Sequence, residues 1–540
     1  MKEKNLLKQI TLVLIFLFFI RLVYSASIHP LYMGWDPGLH LNAAQLILQG
    51  KIPYVDMMDV NPPLVWYIDM IPAFWSSAFH IPAPQAFTLF LACVILYSAS
   101  ACYYLFFHYA DNNKATDTAT YIAFIVGLIY FNFLLRHDFG QRETIFVLYY
   151  LPFFVLRWLC WNGHAPKKKW ISILIGIIGG MGICLKPYFL IPALCVELYF
   201  LLNKNAFDLK SYKHFVSPDA LGAVGAALAY VLHFFLMPQA MRENYFGFVV
   251  PAFMLGYNYW DVSLGNSFSS PDKRNVFWLM VIASAFALSL RRTSSLIEPL
   301  VIFAVSSNIV YLMQFKGWAY HDQPVLAASL ILAFVLTSYL LVFIGNKLSA
   351  SCSIPKNILL WAVPILIGGY LAFDAVQDTE AVRKDNKVDL NFIGYNTTSP
   401  RSDISFPFFD VFEREWKKDD KIVFISNGVT PEYPFLTQVN AAPGSRHLHC
   451  VILSVLQYIK DMHAKTPKNI ALYEQNERII KEYLQDIEAN KPKLVFVQIG
   501  PVLDYLKPYD FQTKLQKNYD KIEEHDNFEV YRLKNRGPQA

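Results

Sequence analysis

The sequence predicts a polytopic α-helical membrane protein with a C-terminal extracytoplasmic α/β domain. The chain has 540 residues, of which 55% are hydrophobic and 16% are aromatic. Charged residues make up only 16%, against roughly 25% in an ordinary soluble domain. A mean hydropathy of +0.30 agrees with this composition. Such a chain cannot cover itself with polar surface, so lipid must solvate much of it.

Eleven apolar runs predict about 11 transmembrane helices, because a helix needs about 20 mostly apolar residues to cross a bilayer. The runs cover 9–24, 85–107, 119–135, 144–161, 170–185, 188–202, 218–236, 275–290, 296–314, 324–344 and 358–374. The first run has a basic start and a possible cleavage site at Ala26, as in a signal peptide. Arg21 interrupts it, however, and many hydrophobic spans follow. We therefore predict an uncleaved first span.

Lysine and arginine in the loops predict the orientation of these spans. If the N-terminus is cytoplasmic, fourteen of these residues lie on that side and eight lie in the longer loops opposite. Cytoplasmic loops carry an excess of positive charge, so the bias predicts a cytoplasmic N-terminus. An odd number of spans then places the C-terminal domain outside.

The composition changes near Val376, which divides the chain into a predicted transmembrane domain, 1–375, and an outer domain, 376–540. Short β-rich runs at 422–425, 494–498 and 528–533 alternate with helical patterns at 451–462 and 476–487. Strands that alternate with helices predict a small α/β domain.

Charge and cysteine content exclude several kinds of partner and site. The net charge is +5 and the basic residues are scattered, so nucleic acid is not a predicted partner. The seven cysteines form no Cys-x-x-Cys pair and no Cys/His ligand spacing. The sequence therefore predicts neither a structural zinc nor a disulfide framework.

The first outer loop, 27–84, carries the clearest chemical signal. Asp36 before Pro37 is typical of a helix N-cap, and Gly50 stands where the helix would end. Capping alone does not explain why one loop collects three carboxylates, a histidine and a tyrosine. These residues are Asp36, Asp56, Asp59, His40 and Tyr54. Clustered carboxylates repel one another unless a cation or a proton-donating substrate is present, so the loop indicates a reactive site.

The same loop resembles that of a known family. It places an aspartate just after the first span, then an amphipathic helix, then a G-K-x-P-Y-x-D-x-x-D-x-N-P-P segment that ends at Pro63. This order is similar to that of the GT-C glycosyltransferases, and most of all to bacterial aminoarabinose transferases and protein O-mannosyltransferases. The likeness covers the first loop closely and the span-plus-outer-domain architecture loosely.

The resemblance implies an inverting glycosyltransferase that uses a polyprenyl-phosphate sugar donor and a glycan, lipid or protein acceptor. It implies a GT-C-like fold in a bacterial inner membrane, with the C-terminal domain in the periplasm and no required cofactor. Asp36 inherits the role of catalytic base. The family often has Asp-Glu at this point, whereas this chain has Asp36-Pro37. A second acidic partner, Asp59 or Asp56, therefore stays open.

Such a transfer also needs cations at the departing phosphate and side chains that hold the substrate. Three other outer connections supply the candidate phosphate ligands Arg136, Arg142, Lys186 and Lys316. The candidate substrate contacts are His40, Tyr54, Asn61, Gln141, Glu143, Trp318, Tyr320 and His321.

Structural roles remain open for many of these residues. Arg136 and Lys186 would also suit helix ends that snorkel to the interface. Arg142 would also suit an ion pair with Glu143 or Asp138, and the aromatic residues would suit an interfacial belt.

Three other hypotheses stay open. A transporter or flippase for a lipid-linked or anionic substrate would place ionisable groups within its spans, where Glu197 and His233 are the main candidates. A non-catalytic sensor or assembly protein would use the outer domain but leave the first-loop motif unexplained. A divalent cation on Asp36, Asp56 and Asp59 is a further alternative, although no metal site is predicted.

Overall fold

The computed structural model describes residues 2–28, 33–111, 115–135, 138–203, 208–348, 370, 408–463, 465–525 and 527–534. The chain forms two compact units. The helical unit comprises Met1–Ser25, Leu89–Phe235 and Asp261–Lys384. The sheet unit comprises Ala26–Thr88, Leu236–Trp260 and Asp385–Ala540.

The α-helices described up to residue 348 follow one another with short connections. They are α1 (Lys2–Ile28), α2 (Trp35–Leu48), α3 (Leu64–Phe79), α4 (Ala83–His108), α5 (Ala115–Phe133), α6 (Arg142–Trp161), α7 (Lys169–Cys184), α8 (Leu190–Asn203), α9 (Pro218–Leu236), α10 (Gln239–Asn244), α11 (Val250–Gly256), α12 (Pro271–Ser289), α13 (Ile297–Met313) and α14 (Gln323–Leu348). A single π-helical turn, Tyr245–Val249, joins α10 to α11.

Ten of the predicted spans coincide with helices, namely α1, α4 to α9, and α12 to α14. The eleventh prediction, 358–374, lies outside the described residues apart from residue 370. In the described part of the chain, four helices are long and apolar enough to cross a bilayer by themselves. They are Ala83–His108, Arg142–Trp161, Pro218–Leu236 and Ala319–Ile344. Together with the C-terminal sheet, these helices confirm a polytopic helical membrane protein with an α/β domain.

Burial in the helical unit separates a central helix from one at its surface. Every residue of α6 is buried, whereas α9 exposes large apolar side chains such as Leu228 and Phe235. A Cβ added to Gly179 of α7 would lie 2.5 Å from Cβ of Phe153 in α6. Small residues of this kind let helix backbones approach closely within a membrane, where burial from water no longer drives helix association.

The sheet unit is built on five strands in the order β2-β1-β3-β5-β4. The strands are β1 (Lys421–Ile425), β2 (Ala442–Pro443), β3 (Leu494–Gln498), β4 (Tyr519–His525) and β5 (Phe528–Leu533). β1 pairs in parallel with β2 and β3, and β5 is antiparallel to β3 and β4. The predicted strands β1, β3 and β5 are confirmed. β2 has only two residues, and β4 is a charged edge strand without an apolar alternation, so neither was predicted.

The C-terminal helices flank this sheet. They are α15 (Phe409–Glu415), α16 (Glu432–Val439), α17 (Val451–His463), α18 (Pro467–Tyr473), α19 (Gln475–Asn490), α20 (Pro501–Leu506) and α21 (Phe511–Gln516). The helices predicted at 451–462 and 476–487 are confirmed as α17 and α19. The domain boundary predicted at 375/376 lies outside the described residues and stays a prediction.

The first loop is built into the sheet unit through α2. A Cβ on Gly38 would lie 2.9 Å from Cα of Pro434 in α16, so only glycine allows this approach. Thr437 Oγ1 donates to the Gly38 carbonyl at 2.6 Å, and the Tyr433 hydroxyl donates to Asn42 Oδ1 at 2.8 Å. The position of α2 is thus set by residues almost 400 positions later in the chain.

A second junction joins the loop to the C-terminal residues by backbone pairing. The Met58 amide donates to the Arg446 carbonyl at 2.6 Å, and the Leu448 amide donates to the Met58 carbonyl at 3.2 Å. This short parallel pairing places Asp59, which follows Met58, beside His449, which follows Leu448.

Candidate functional site

Asp36 lies in the first turn of α2 and is 9% exposed. The prediction that it is the N-cap is wrong: Gly34, with φ −65° and ψ 162°, takes that position. Extended backbone suits an N-cap, and Trp35 then becomes the first helical residue, which leaves Asp36 as the second. Its carboxylate is still favoured there by the partial positive charge of the helix N-terminus. The predicted helix end is confirmed, since Gly50 follows with φ +86°.

Asp59 is buried in a complete set of hydrogen bonds. His449 Nε2 lies 2.8 Å from Asp59 Oδ1, the Val60 amide donates to the same oxygen, and Asn61 Nδ2 lies 3.2 Å from both oxygens. Burial alone would raise the pKa of Asp59, but the hydrogen bond and charge of His449, with a contribution from His40, lower it to about 2. Asp59 therefore acts as an ionised tie between the first loop and the C-terminal residues.

The other first-loop candidates build the turn. Asp56 is exposed, and its Oδ2 accepts the Ile52 amide at 2.9 Å. Tyr54 is fully buried, with its ring centroid 5.2 Å from Trp66 and 4.6 Å from Tyr245, and its hydroxyl donates to the Asn61 carbonyl at 2.6 Å. These contacts favour structural roles for Asp56, Tyr54 and Asn61. In the described part of the chain, no three His, Cys, Asp or Glu side chains are arranged to hold a metal ion.

The second group of candidates lies in the helical unit, at the N-terminus of α6. Gln141 is the N-cap residue, and Arg142 and Glu143 begin the helix. All three are buried. Both polar side-chain atoms of Gln141 and Nε of Arg142 lack a hydrogen-bond partner among the described residues. Buried polar groups are nearly always satisfied, so this group has the character of a ligand-binding site.

Glu143 has a different partner from the one expected. Lys186 Nζ contacts Glu143 Oε1 at 2.5 Å, so the ion pair considered between Arg142 and Glu143 is not the one that forms. Lys186 also lies 5.4 Å from the centroid of the Tyr320 ring. Lys186 is 8% exposed and is therefore not a snorkelling residue at the surface.

Lys316 and His321 complete the cluster. The positive charges of Lys186, Arg142 and Lys316 all act on the buried His321 ring, so the three cations lie in its electrostatic neighbourhood. Nε2 of His321 lies 3.8 Å from Glu143 Oε1. His321 also packs against Trp318 and Tyr320, with ring centroids 5.2 and 4.6 Å away.

We call Gln141, Arg142, Glu143, Lys186, Lys316 and His321 the cationic cluster. Lys316 forms an ion pair with Asp261, a residue that the sequence did not single out as its partner. The predicted ligand Arg136 lies outside the described residues.

Two polar residues that sequence reasoning missed hold this region together. Thr144 Oγ1 donates to Gln323 Oε1 at 2.7 Å, and Gln323 Nε2 donates to the Asp138 carbonyl at 3.0 Å. The N-termini of α6 and α14 are thereby fixed to each other. Gln323 follows directly on His321-Asp322, and its position at the start of an apolar helix was the available signal.

The electrostatics of the cluster favour an anion. The N-terminus of α6 carries a partial positive charge, which favours Glu143 but disfavours Arg142. With Lys186 and Lys316 nearby, the cluster holds three cations against Glu143, and Asp261 pairs with Lys316. A helix N-terminus with converging cations is a typical site for phosphate or carboxylate.

A second buried arginine on α6 was also missed, and its surroundings are complete. Arg157 binds Glu197 through two contacts of 2.6 Å and Asp219 Oδ2 at 2.7 Å. It also donates to Ser217 Oγ and to the His214 carbonyl. Glu197 is thus half of an ion pair inside the helical unit.

Comparison with solved structures shows the fold. The chain resembles ArnT from Cupriavidus metallidurans bound to undecaprenyl phosphate, with a TM-score of 0.58 and 11% identity over 98% of this chain and 99% of that chain. The apo state of ArnT gives a TM-score of 0.52 and 11% identity over 98% and 97% of the two chains. No family model and no curated protein matches the sequence. ArnT is an aminoarabinose transferase of the GT-C type. The GT-C fold expected from the first loop is therefore confirmed.

Proposed function

We propose that this integral membrane protein with the GT-C fold is an inverting glycosyltransferase, which moves a sugar from a polyprenyl-phosphate donor to a glycan, lipid or protein acceptor. The observation that carries the proposal is the cationic cluster. Arg142 and Gln141 are buried with unsatisfied polar atoms at a helix N-terminus, beside Lys186 and Lys316. Gln141 Nε2 and Arg142 Nε are buried donors without an acceptor among the described residues, which is costly unless a ligand supplies the acceptor.

The cluster suits the phosphate of the donor. A guanidinium presents a planar fork of N–H groups that matches two phosphate oxygens, and a lysine adds a point charge. Gln141 and His321 add side chains that can donate hydrogen bonds. ArnT, which has this fold, was crystallised with undecaprenyl phosphate. We propose that Arg142, Lys186 and Lys316 bind the corresponding group here, and that Arg136 belongs to the same set.

Asp36 is proposed as the base. Its carboxylate takes the proton of the acceptor hydroxyl or amine as that atom attacks the anomeric carbon of the donor sugar. A bond from the acceptor to this carbon forms, and the bond from the carbon to the phosphate oxygen breaks. The electron pair leaves with the polyprenyl phosphate, whose charge the cations stabilise. Attack from the face opposite the phosphate inverts the anomeric carbon.

The proposal includes a location and a cofactor requirement. We propose a bacterial inner membrane with a cytoplasmic N-terminus and a periplasmic C-terminal domain. The fourteen-to-eight distribution of loop lysine and arginine supports this orientation. The reaction needs no cofactor, because the phosphate leaving group is neutralised by side chains rather than by a metal ion.

The base is tested with Asp36→Asn in purified protein. We expect the transfer rate to fall by about 10²- to 10⁴-fold, the usual contribution of a positioned base. The measurement is release of polyprenyl phosphate with simultaneous labelling of the acceptor. The control is Asp410→Asn, because Asp410 is also the second residue of a helix in the sheet unit but is exposed. Transfer by Asp36→Asn at the parental rate would show that another group is the base.

The transporter alternative gains no support from the intramembrane acid that suggested it. Glu197 is bound by Arg157 and by the Trp161 indole, whose Nε1 lies 3.1 Å from Glu197 Oε2. Counterflow of labelled substrate in proteoliposomes without product formation would favour transport over transfer.

A further inference from the structure

A polar groove in the sheet unit has no place in the chemistry described so far. Its volume is about 780 Å³, within the roughly 300–1,000 Å³ typical of small-molecule sites. Three stretches and Lys418 line it. The stretches are the C-terminal half of α2, the end of α3 with the connection to α4, and the end of α16 with β2.

Amide and hydroxyl groups make up most of the polar lining. Gln45, Gln49 and Asn440 each present a group that both donates and accepts hydrogen bonds, and Ser77 adds a hydroxyl. Neighbouring hydroxyl groups of a sugar ring also donate and accept, so amides complement them. Phe74, which is 57% exposed, offers an aromatic surface to the apolar face of such a ring.

The charges of the groove point the same way. Among the described lining residues there is no carboxylate, and Lys418 supplies an ammonium group. A cationic ligand would find no counter-charge here, whereas a neutral sugar needs none and a sugar phosphate would find the Lys418 ammonium. A peptide is less suited, because peptide sites usually offer a long free strand edge or deep apolar pockets. The edge strand at this groove, β2, has only two residues, and one of them, Pro443, has no backbone N–H.

Some lining groups are fixed and others are available. The Asn42 side chain accepts from Tyr433, and Ser76 Oγ donates to the Ile81 carbonyl at 2.7 Å. The side chains of Gln49, Ser77 and Asn440 make no hydrogen bond to another described residue. The groove thus combines a rigid frame with polar groups that remain free to bind a ligand.

We propose that this groove binds sugars of the acceptor, so that the acceptor is a glycan or glycolipid. The inference rests on the proposed function, since α2 carries both the proposed base and the groove. Asn42 and Gln49 follow Asp36 by six and thirteen residues, or about 9 and 20 Å along a helix that rises 1.5 Å per residue. Sugars held in the groove would therefore flank the one that receives the new residue.

The test compares two substitutions at adjacent exposed positions of α3. Ser77→Trp fills the groove, whereas Ala78→Trp adds the same side chain at a residue that does not line it. The probe is the mixture of delipidated oligosaccharides released by mild acid from the envelope of the producing cells. Its binding to the purified full-length protein is measured by saturation-transfer NMR.

We expect the parental protein and Ala78→Trp to bind the same sugars, and Ser77→Trp to bind them at least about tenfold more weakly. In transfer assays, Ser77→Trp should raise KM for the glycolipid acceptor without changing kcat or the KM of the donor. Equal binding by both variants, no binding by the parental protein, or competition by a serine- and threonine-rich peptide would overturn the proposal. Sugar binding without any sugar transfer would instead contradict the proposed transferase activity and leave the groove as a glycan site.

Discussion

Two buried arginines on helix α6 differ in one respect. Arg157 is 2% exposed, and its donors are matched by Glu197, Asp219, Ser217 and a backbone carbonyl. Arg142 is 9% exposed, and its Nε has no partner in the described part of the chain. The same side chain is therefore completed by the protein at one end of the helix and left incomplete at the other.

The difference separates stability from binding. A buried charge with all its ion-pair and hydrogen-bond partners stabilises the folded state only together with those partners. Removal of one charged residue leaves its partner as a buried charge without compensation. A buried donor without an acceptor lowers stability and persists where function requires it. The first-loop carboxylates show the same contrast, because Asp59 is held in a full set of hydrogen bonds.

The largest expected effect is on protein stability at Arg157, whose hydrogen-bond donors all have partners. Arg157→Met should lower the free energy of unfolding by about 3–5 kcal/mol, because Glu197 and Asp219 would keep buried charges without a cation. The measurement is thermal or denaturant unfolding of the purified protein in detergent. The triple variant Arg157→Met with Glu197→Gln and Asp219→Asn should recover most of the loss. No recovery would mean that packing, rather than charge, dominates at this site.

Substitution of Arg142 should lower activity rather than stability. Arg142→Met should slow transfer by about 10²- to 10³-fold, the usual effect of removing a donor that stabilises transition-state charge. Its unfolding midpoint should stay the same or rise, since an unsatisfied buried donor is removed. Arg274→Met is the control, because Arg274 lies in the first turn of α12 but is exposed. A large loss of stability in Arg142→Met would end the contrast between the two arginines.

A smaller effect is expected at Asp59, and it should depend on pH. The pKa of Asp59 falls from 3.8 to about 2 on folding, so its ionised form stabilises the protein above pH 4. That contribution, about 2 kcal/mol, is lost as the pH falls from 4 toward 2. Unfolding free energies of the parental protein and of Asp59→Asn should therefore differ at pH 6 and converge near pH 2. A constant difference in unfolding free energy between pH 6 and pH 2 would exclude a stabilising role for the ionised Asp59 carboxylate.

The smallest expected effect on stability is at Glu432. It tests whether every buried polar atom without a hydrogen-bond partner marks a binding site. Glu432 is 2% exposed, its Oε2 has no partner among the described residues, and burial raises the pKa of Glu432 well above 4.5. The unfolded chain loses this proton above pH 4.5 while the folded chain keeps it, so stability falls as the pH rises. Glu432→Gln should raise the free energy of unfolding by about 1 kcal/mol at pH 7 and leave it unchanged at pH 4. A concurrent loss of transfer would assign Glu432 to the reaction.

Helix positions followed from the sequence because long apolar runs have few alternatives. The ends of α6 and α9 were predicted to within two residues. The completed network around Arg157 did not follow, because its partners Glu197 and Asp219 come from later segments. Tertiary contacts of this kind leave no local pattern in the sequence.

The candidate site shows the same limit. The cationic residues were all named from their loops, yet the pairing of Lys186 with Glu143 required the folded positions of two connections. Asp36 was named from its motif, but its N-cap role was wrong because Gly34 is a good competitor for that position. Residue types in a loop predict chemistry, whereas partners depend on the fold.

The junction between Gly38 and Pro434 has a consequence for biosynthesis. Thr437 and His449 contact residues 399 and 390 positions earlier in the chain, in the loop that carries Asp36. A ribosome completes that loop long before it reaches these partners. The surroundings of Asp36 therefore form only after nearly the whole chain has been translated and its last domain has folded. A prematurely terminated chain would lack the second half of this scaffold, so a truncated product would not carry the activity proposed for Asp36.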